Sequence, residues 1–168
     1  NPAQLSGVLF VMGSEGDTIR YRCLHPKEQL ARQGVRTQVR FWTDPRLFGD
    51  ALDYDVFILH RVMYAGLIPD WIDLLHQLGK IAIFDTDDLI FDLAMSRHDS
   101  RMASLDAQEK RRYQHNIRLH SQTVEHCDYA LTTTQFLAEL LRRLGKQTCV
   151  CRNSLNDEQV RISEAARQ

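Results

Sequence analysis

Short apolar runs of strand length alternate with longer stretches of helical period along this chain. Leu5 to Met12 is the first run, followed by Gly13-Ser14-Glu15-Gly16-Asp17 and a helical stretch from about Thr18 to Gln33. Gly34 suits the left-handed residue that closes a helix. Pro26 lacks the amide proton an interior helical residue donates, so a break or a fresh helix start is expected near His25. Val35 to Phe41 alternates in polarity as a second strand, and Thr43-Asp44-Pro45 opens a loop reaching Asp50. Tyr54 to His60 is a third strand, apolar enough to be covered on both faces. Leu67 to Leu78 has helical spacing with Gly79 as its stop, and Ile81 to Phe84 is a fourth strand. A polar loop from Ser96 to Ser104 is the candidate mobile segment. Asp106-Ala107-Gln108-Glu109 reads as a capping box opening a helix to about His126. Tyr129 to Thr132 is a fifth strand, Thr134 or its neighbour caps a helix that reaches Leu144 before Gly145, and Gln147 to Cys151 is a sixth strand.

Strands joined by crossover helices must run parallel, which predicts an α/β, doubly wound parallel sheet of about six strands, Rossmann-like and with helices on both faces. The domain is expected to span 1–152, with 153–168 a polar linker belonging to something longer. Ligands of such sheets bind beyond the carboxyl ends of the strands. The segments expected there are Gly13 to Asp17, Thr43 to Asp50, His60 to Ala65, Asp85 to Asp92 and Thr132 to Thr134.

Composition narrows the partners. A chain of 168 residues with 43% hydrophobic and 26% charged positions can pack one core. Lys and Arg total 21 against 22 Asp and Glu, so the basic footprint of a nucleic-acid binder is missing. No apolar stretch approaches the roughly 18 residues of a membrane span, and no signal-peptide pattern opens the chain, so a cytoplasmic location is expected. Cys23, Cys127, Cys149 and Cys151 lack the paired C-x-x-C spacing of a zinc knuckle; reduced, mostly packed thiols and no metal are expected.

Four groups of residues can carry chemistry at the ligand edge. Gly13, Ser14 and Gly16 precede a helix and let backbone amides approach an anion, although the loop is neither G-x-G-x-x-G nor a P-loop. Arg20 and Arg22 follow in the first turns, either as anion-gripping guanidinium groups or as part of a solvated face. His60-Arg61 ends the third strand, where an imidazole can meet a hydroxyl and a guanidinium an oxyanion. Asp85-Thr86-Asp87-Asp88 is the sharpest feature, because carboxylates crowded at a strand end repel unless a cation, an arginine or backbone donors compensate. Magnesium binding, hydrogen bonds to substrate hydroxyls and a structural cap are the open accounts. The remaining histidines share no spacing of a metal site.

The succession Arg20-x-Arg22, Pro26, Gln29-Leu30, Gly34, then Asp55 to Arg61, then Gly79-Lys80 and Phe84-Asp85-Thr86-Asp87-Asp88-Leu89-Ile90-Phe91-Asp92 resembles the N-terminal half of bacterial glycosyltransferases of the GT-B fold, family 4 type. Cys127 to Thr134 with Leu137 is similar to a later strand and helix of that half. Arg152-Asn153-Ser154-Leu155-Asn156 is similar to its exit toward the second domain, with Arg152 in place of the usual proline. The resemblance covers about Leu5 to Asn156. It implies transfer of a sugar from a nucleotide-sugar donor to a saccharide, lipid or other acceptor with retention at the anomeric carbon, as in polysaccharide biosynthesis. It also implies a C-terminal Rossmann-like domain carrying the donor contacts and the main catalytic carboxylates, with no cofactor and no metal. Peripheral attachment of the full-length enzyme to a membrane fits the same family. The matching cleft positions are Gly13, Ser14, Gly16, Arg20, Arg22, His60, Arg61, Asp87 and Asp88. The resemblance gives Arg20 and Arg22 to an anionic group, His60 to an acceptor hydroxyl, and the acidic pair to sugar hydroxyls or loop order.

Two other classes compete. A haloacid-dehalogenase-type phosphatase would use Asp85 as nucleophile and Asp87 as general acid around magnesium. Its signature belongs after the first strand rather than the fourth, and Leu89 stands where threonine is usual. A noncatalytic Rossmann-like binding module is the other.

Overall fold

The computed structural model of the chain describes residues 6–96 and 104–167. The strands are β1 (Val8–Met12), β2 (Thr37–Phe41), β3 (Val56–His60), β4 (Ile81–Thr86), β5 (Tyr129–Thr132) and β6 (Thr148–Val150). β4 continues past the apolar run because Asp85 pairs in register with His60 on one side and Leu131 on the other. The helices are α1 (His25–Arg32), α2 (Leu47–Asp53), α3 (Ile68–Gln77), α4 (Leu93–Ser96), α5 (Ala107–His126), α6 (Gln135–Arg143) and α7 (Asp157–Ala165). A π-helical turn, Arg20–Leu24, leads into α1, where Pro26 occupies the first turn and needs no amide partner. The break expected near His25 is therefore this change of helical pitch.

All six strands are parallel, in the order β2-β1-β3-β4-β5-β6. This is a Rossmann-like α/β domain built on one sheet. The chain steps outward from β1 to β2 and then returns across β1 to β3, so the switch point lies between β1 and β3.

Right-handed crossovers make the two faces unequal. Every connection from β2 onward moves across the sheet in one direction, which puts α2, α3, α5 and α6 over one face. Their apolar residues, including Leu47, Trp71, Val124 and Leu141, pack with Leu9, Val11, Phe57 and Phe84 in the larger core. Only the β1 to β2 step runs the other way. Its helical unit brings Cys23 and Leu30 against Val8, Phe10, Val39 and Ile58 on the second face. Helices thus reach both faces, but among the described residues the β4 to β6 half of the second face is less covered, with Ile81 and Tyr129 about two-fifths exposed.

Two helices lie where the sequence pattern gives a loop and a linker. α2 falls in the expected loop, since Leu47 and Ala51 reach the core from a short segment interrupted by Gly49. α7 falls in the polar tail and begins with a capping box from Asn156 to Gln159. It is tethered to α1 by an Asn156 to Glu28 hydrogen bond and by ion pairing of Arg32 with Asp157. The capping box expected at Asp106 is made, and of Thr134 and its neighbour it is Thr134 that caps α6. Most of the Ser96 to Ser104 loop lies outside the described residues. Among the described residues, no helix is long and apolar enough to cross a membrane.

Candidate functional site

At the switch point, the loops leaving β1 and β3 are pressed together. Gly13 N–H donates to the His60 carbonyl at 2.8 Å, and a Cβ on Gly13 would stand 1.9 Å from the Arg61 carbonyl oxygen. Only glycine permits that approach. Arg61 takes φ 51°, the sole non-glycine residue at positive φ among the described residues, and its N–H donates to the Asp85 carbonyl at 3.0 Å. Its guanidinium is thereby turned toward the end of β4, where Nε and Nη2 donate to Asp87 Oδ1 at 2.9 and 2.6 Å. A left-handed arginine at a strand end stores backbone strain of about 1–3 kcal/mol.

The chain beyond Arg61 is held from below by α5. His120 Nδ1 donates to the Val62 carbonyl at 3.2 Å, and Thr123 Oγ1 donates to the same oxygen at 2.9 Å. Burial, opposed by the hydrogen bond to Val62 and helped by nearby Arg61 and His60, lowers the His120 pKa to about 4.

Beneath this rim lies a buried ion-pair cluster. Arg22 Nε donates to Asp85 Oδ2 at 3.1 Å while its Nη2 pairs with Oδ1. His60 Nδ1 donates to Asp85 Oδ2 at 2.8 Å, and its Nε2 faces the Thr18 hydroxyl at 3.4 Å. Arg22, His60 and Asp85 are all buried. Burial works against the charged guanidinium, but the hydrogen bond and Coulombic attraction from Asp85 outweigh it, so the Arg22 pKa is raised. Arg22 Nη1 also donates to the Cys151 carbonyl at 2.6 Å and to Asn153 Oδ1 at 3.3 Å. One side chain therefore ties the turn after β1, the end of β4 and the segment leaving β6.

The acidic run divides accordingly. Asp85 turns inward to the cluster. Asp87 pairs with Arg61, and Asp88 approaches the same Nη2 at 3.8 Å with its side chain 37% exposed. Asp88 also shapes its own turn: Thr86 Oγ1 donates to its carbonyl at 2.8 Å, and Asp88 Oδ1 accepts from Leu89 N–H at 2.8 Å. The arginine foreseen as one compensating charge thus exists twice, as Arg22 for Asp85 and Arg61 for Asp87.

The nine sequence candidates fall into three places. Gly13, Arg61, Asp87 and Asp88 share the rim with the loop that carries Ser14 and the exposed Gly16. Arg22 and His60 lie under it, spent on Asp85 and turned away from solvent. Arg20 points elsewhere, into a shallow depression that it lines with His25, Glu28 and Asn156 beside α7. Thr18, which faces His60, was missed by sequence reasoning; it sits in the first turn after the glycine loop, but no spacing marks it. Among the described residues, no group of three His, Cys, Asp or Glu side chains is arranged to hold a metal ion. Chemically, the rim presents paired guanidinium and carboxylate groups and loop amides, a surface suited to hydrogen-bonding a polyhydroxylated ligand.

The class defined by this fold and site is a Rossmann-like α/β domain with an edge site at its switch point. No protein-family model and no curated protein matches the chain.

Proposed function

We propose that this domain is the acceptor-side half of a retaining glycosyltransferase of the GT-B fold, its rim forming one wall of a crevice that a donor-binding domain closes. The supporting observation is the joining of the three edge segments: Gly13 to His60, Arg61 to Asp85 and Arg61 to Asp87 make a single preorganised surface at the switch point. Sugar hydroxyls are met by such fixed donors and acceptors at little reorganisation cost. In this reading Arg61, Asp87 and Asp88 meet the acceptor. Arg22 and His60 are positioning residues that hold the floor, rather than ligands of an anion or hydroxyl themselves. Alone, the domain is nearly inactive, since closure by the second half excludes water and supplies the remaining contacts.

The phosphatase alternative is weakened by Asp85, whose two oxygens are engaged by Arg22 and His60, leaving no free nucleophile. A noncatalytic saccharide-binding module would share the same rim. Joined to the donor half, Asp88→Asn and Arg61→Gln are expected to lower kcat/KM for the acceptor about tenfold or more while the donor Kd is unchanged. Equal loss of donor affinity contradicts the acceptor-side assignment, and absence of any transfer by the joined protein favours the binding module.

A further inference from the structure

On the second face, a cavity of about 350 Å³ lies between the first helical unit and the segment leaving β6. Its floor is the sheet itself, from Phe10 on β1 through Ile58 on β3 to Leu131 on β5. Tyr21 and Leu30 form the helical wall, and most of the lining is apolar. We propose that this cavity binds a small organic anion with a flat aromatic body, its carboxylate or phosphate held by Arg152 at the mouth.

Three observations carry the assignment. The cavity is preformed: Arg22 holds the Cys151 carbonyl, Cys151 N–H donates to the Thr132 carbonyl at 2.7 Å, and His25 Nδ1 donates to the Ser154 carbonyl at 3.0 Å. Those bonds fix the far wall in place before any ligand arrives. The charge is selective: Asp85 lines the cavity but is matched by Arg22 and His60, so it does not repel an anion. Arg152, in contrast, is exposed and makes no ion pair or hydrogen bond among the described residues. An unpaired guanidinium beside an apolar slot selects a ligand with one anionic end. The lining favours an aromatic body, because Phe10 and Tyr21 both border the cavity and aromatic rings pack well against one another. The proposal stands apart from sugar transfer, since none of Gly13, Arg61, Asp87 and Asp88 lines this cavity.

Cys151 lines the cavity and provides the readout. Cys149 and Cys151 are the exposed cysteines, and Cys23 and Cys127 are buried. In the chain carrying Cys149→Ser, N-ethylmaleimide reports on Cys151. With 1-naphthoate at ten times its Kd, alkylation is expected to slow about tenfold by simple mass action. Adding Arg152→Gln should weaken protection by 1-naphthoate about tenfold while leaving that by neutral 1-naphthalenemethanol unchanged. An unchanged alkylation rate at saturating naphthoate overturns the proposal. So does equal weakening of both ligands by Arg152→Gln, which would remove the role of Arg152 in holding the anion.

Discussion

Arg22 and Asp85, separated by 63 positions in the chain, meet as a two-pronged buried ion pair that joins the start of the first helical unit to the end of β4. Removing one partner strands the other charge in the interior, at a cost of about 3–5 kcal/mol. Arg22→Met and Asp85→Leu are each expected to lower stability by that order in urea unfolding. The double variant should lose clearly less than the sum, because neither charge is then left alone. Additive losses would show that the two side chains act independently.

Gly13 and Gly49 make opposite demands. A methyl group at Gly13 collides with the backbone of Arg61, which cannot swing aside as a side chain would. Gly13→Ala is expected to cost about 3 kcal/mol and to disturb the rim. Gly49 lies within α2 with nothing near its missing Cβ, so Gly49→Ala should stabilise by about 0.5–1 kcal/mol. Denaturation midpoints of the two variants moving in the same direction would contradict this account.

His120 gives the fold a pH dependence. Its pKa is about 4 in the folded chain, against about 6.5 when unfolded. Between these values the unfolded chain binds the extra proton, so stability is full above pH 6.5 and falls as pH drops toward 4. The loss is on the order of 3 kcal/mol. His120→Gln should flatten the stability profile across that window, as followed by urea unfolding at several pH values. A slope equal to that of the parent chain would assign the dependence to another group.

Thr132 Oγ1 is buried at the end of β5 and has no hydrogen-bond partner among the described residues. Thr132→Val removes this unsatisfied hydroxyl at nearly the same shape and is expected to raise stability by about 1 kcal/mol. Destabilisation in thermal unfolding would mean that the hydroxyl is paired after all.

The sequence made the sheet legible because several strand runs follow an amphipathic helix closed by a glycine, as Ile81 to Phe84 follows Leu67 to Leu78 with Gly79. Helix α2 was hidden by Gly49 and by the lack of a side-chain cap. α7 left a readable mark, Asn156 three residues before Gln159, which a polar composition masked. In the candidate site, the sequence brought most of the named residues to one sheet edge but did not assign their partners. Crowding of Asp85, Asp87 and Asp88 demands counter-charges, yet nothing local says that Arg22 turns inward while Arg20, two positions away, faces α7. Residues two apart lie on nearly opposite sides of any helical turn, so which arginine turns inward is decided by the distant Asp85 rather than by local spacing.

The central claim is that Gly13, Arg61, Asp87 and Asp88 form one surface for a saccharide acceptor. Amide chemical shifts of the isotopically labelled domain, titrated separately with oligosaccharides and with nucleotide sugars, test it most directly. The account predicts oligosaccharide-induced shifts confined to Gly13, Ser14, Gly16, Arg61, Asp87, Asp88 and their neighbours, with weaker changes from nucleotide sugars. Tight nucleotide-sugar binding at those residues, or oligosaccharide shifts located away from them, would contradict it.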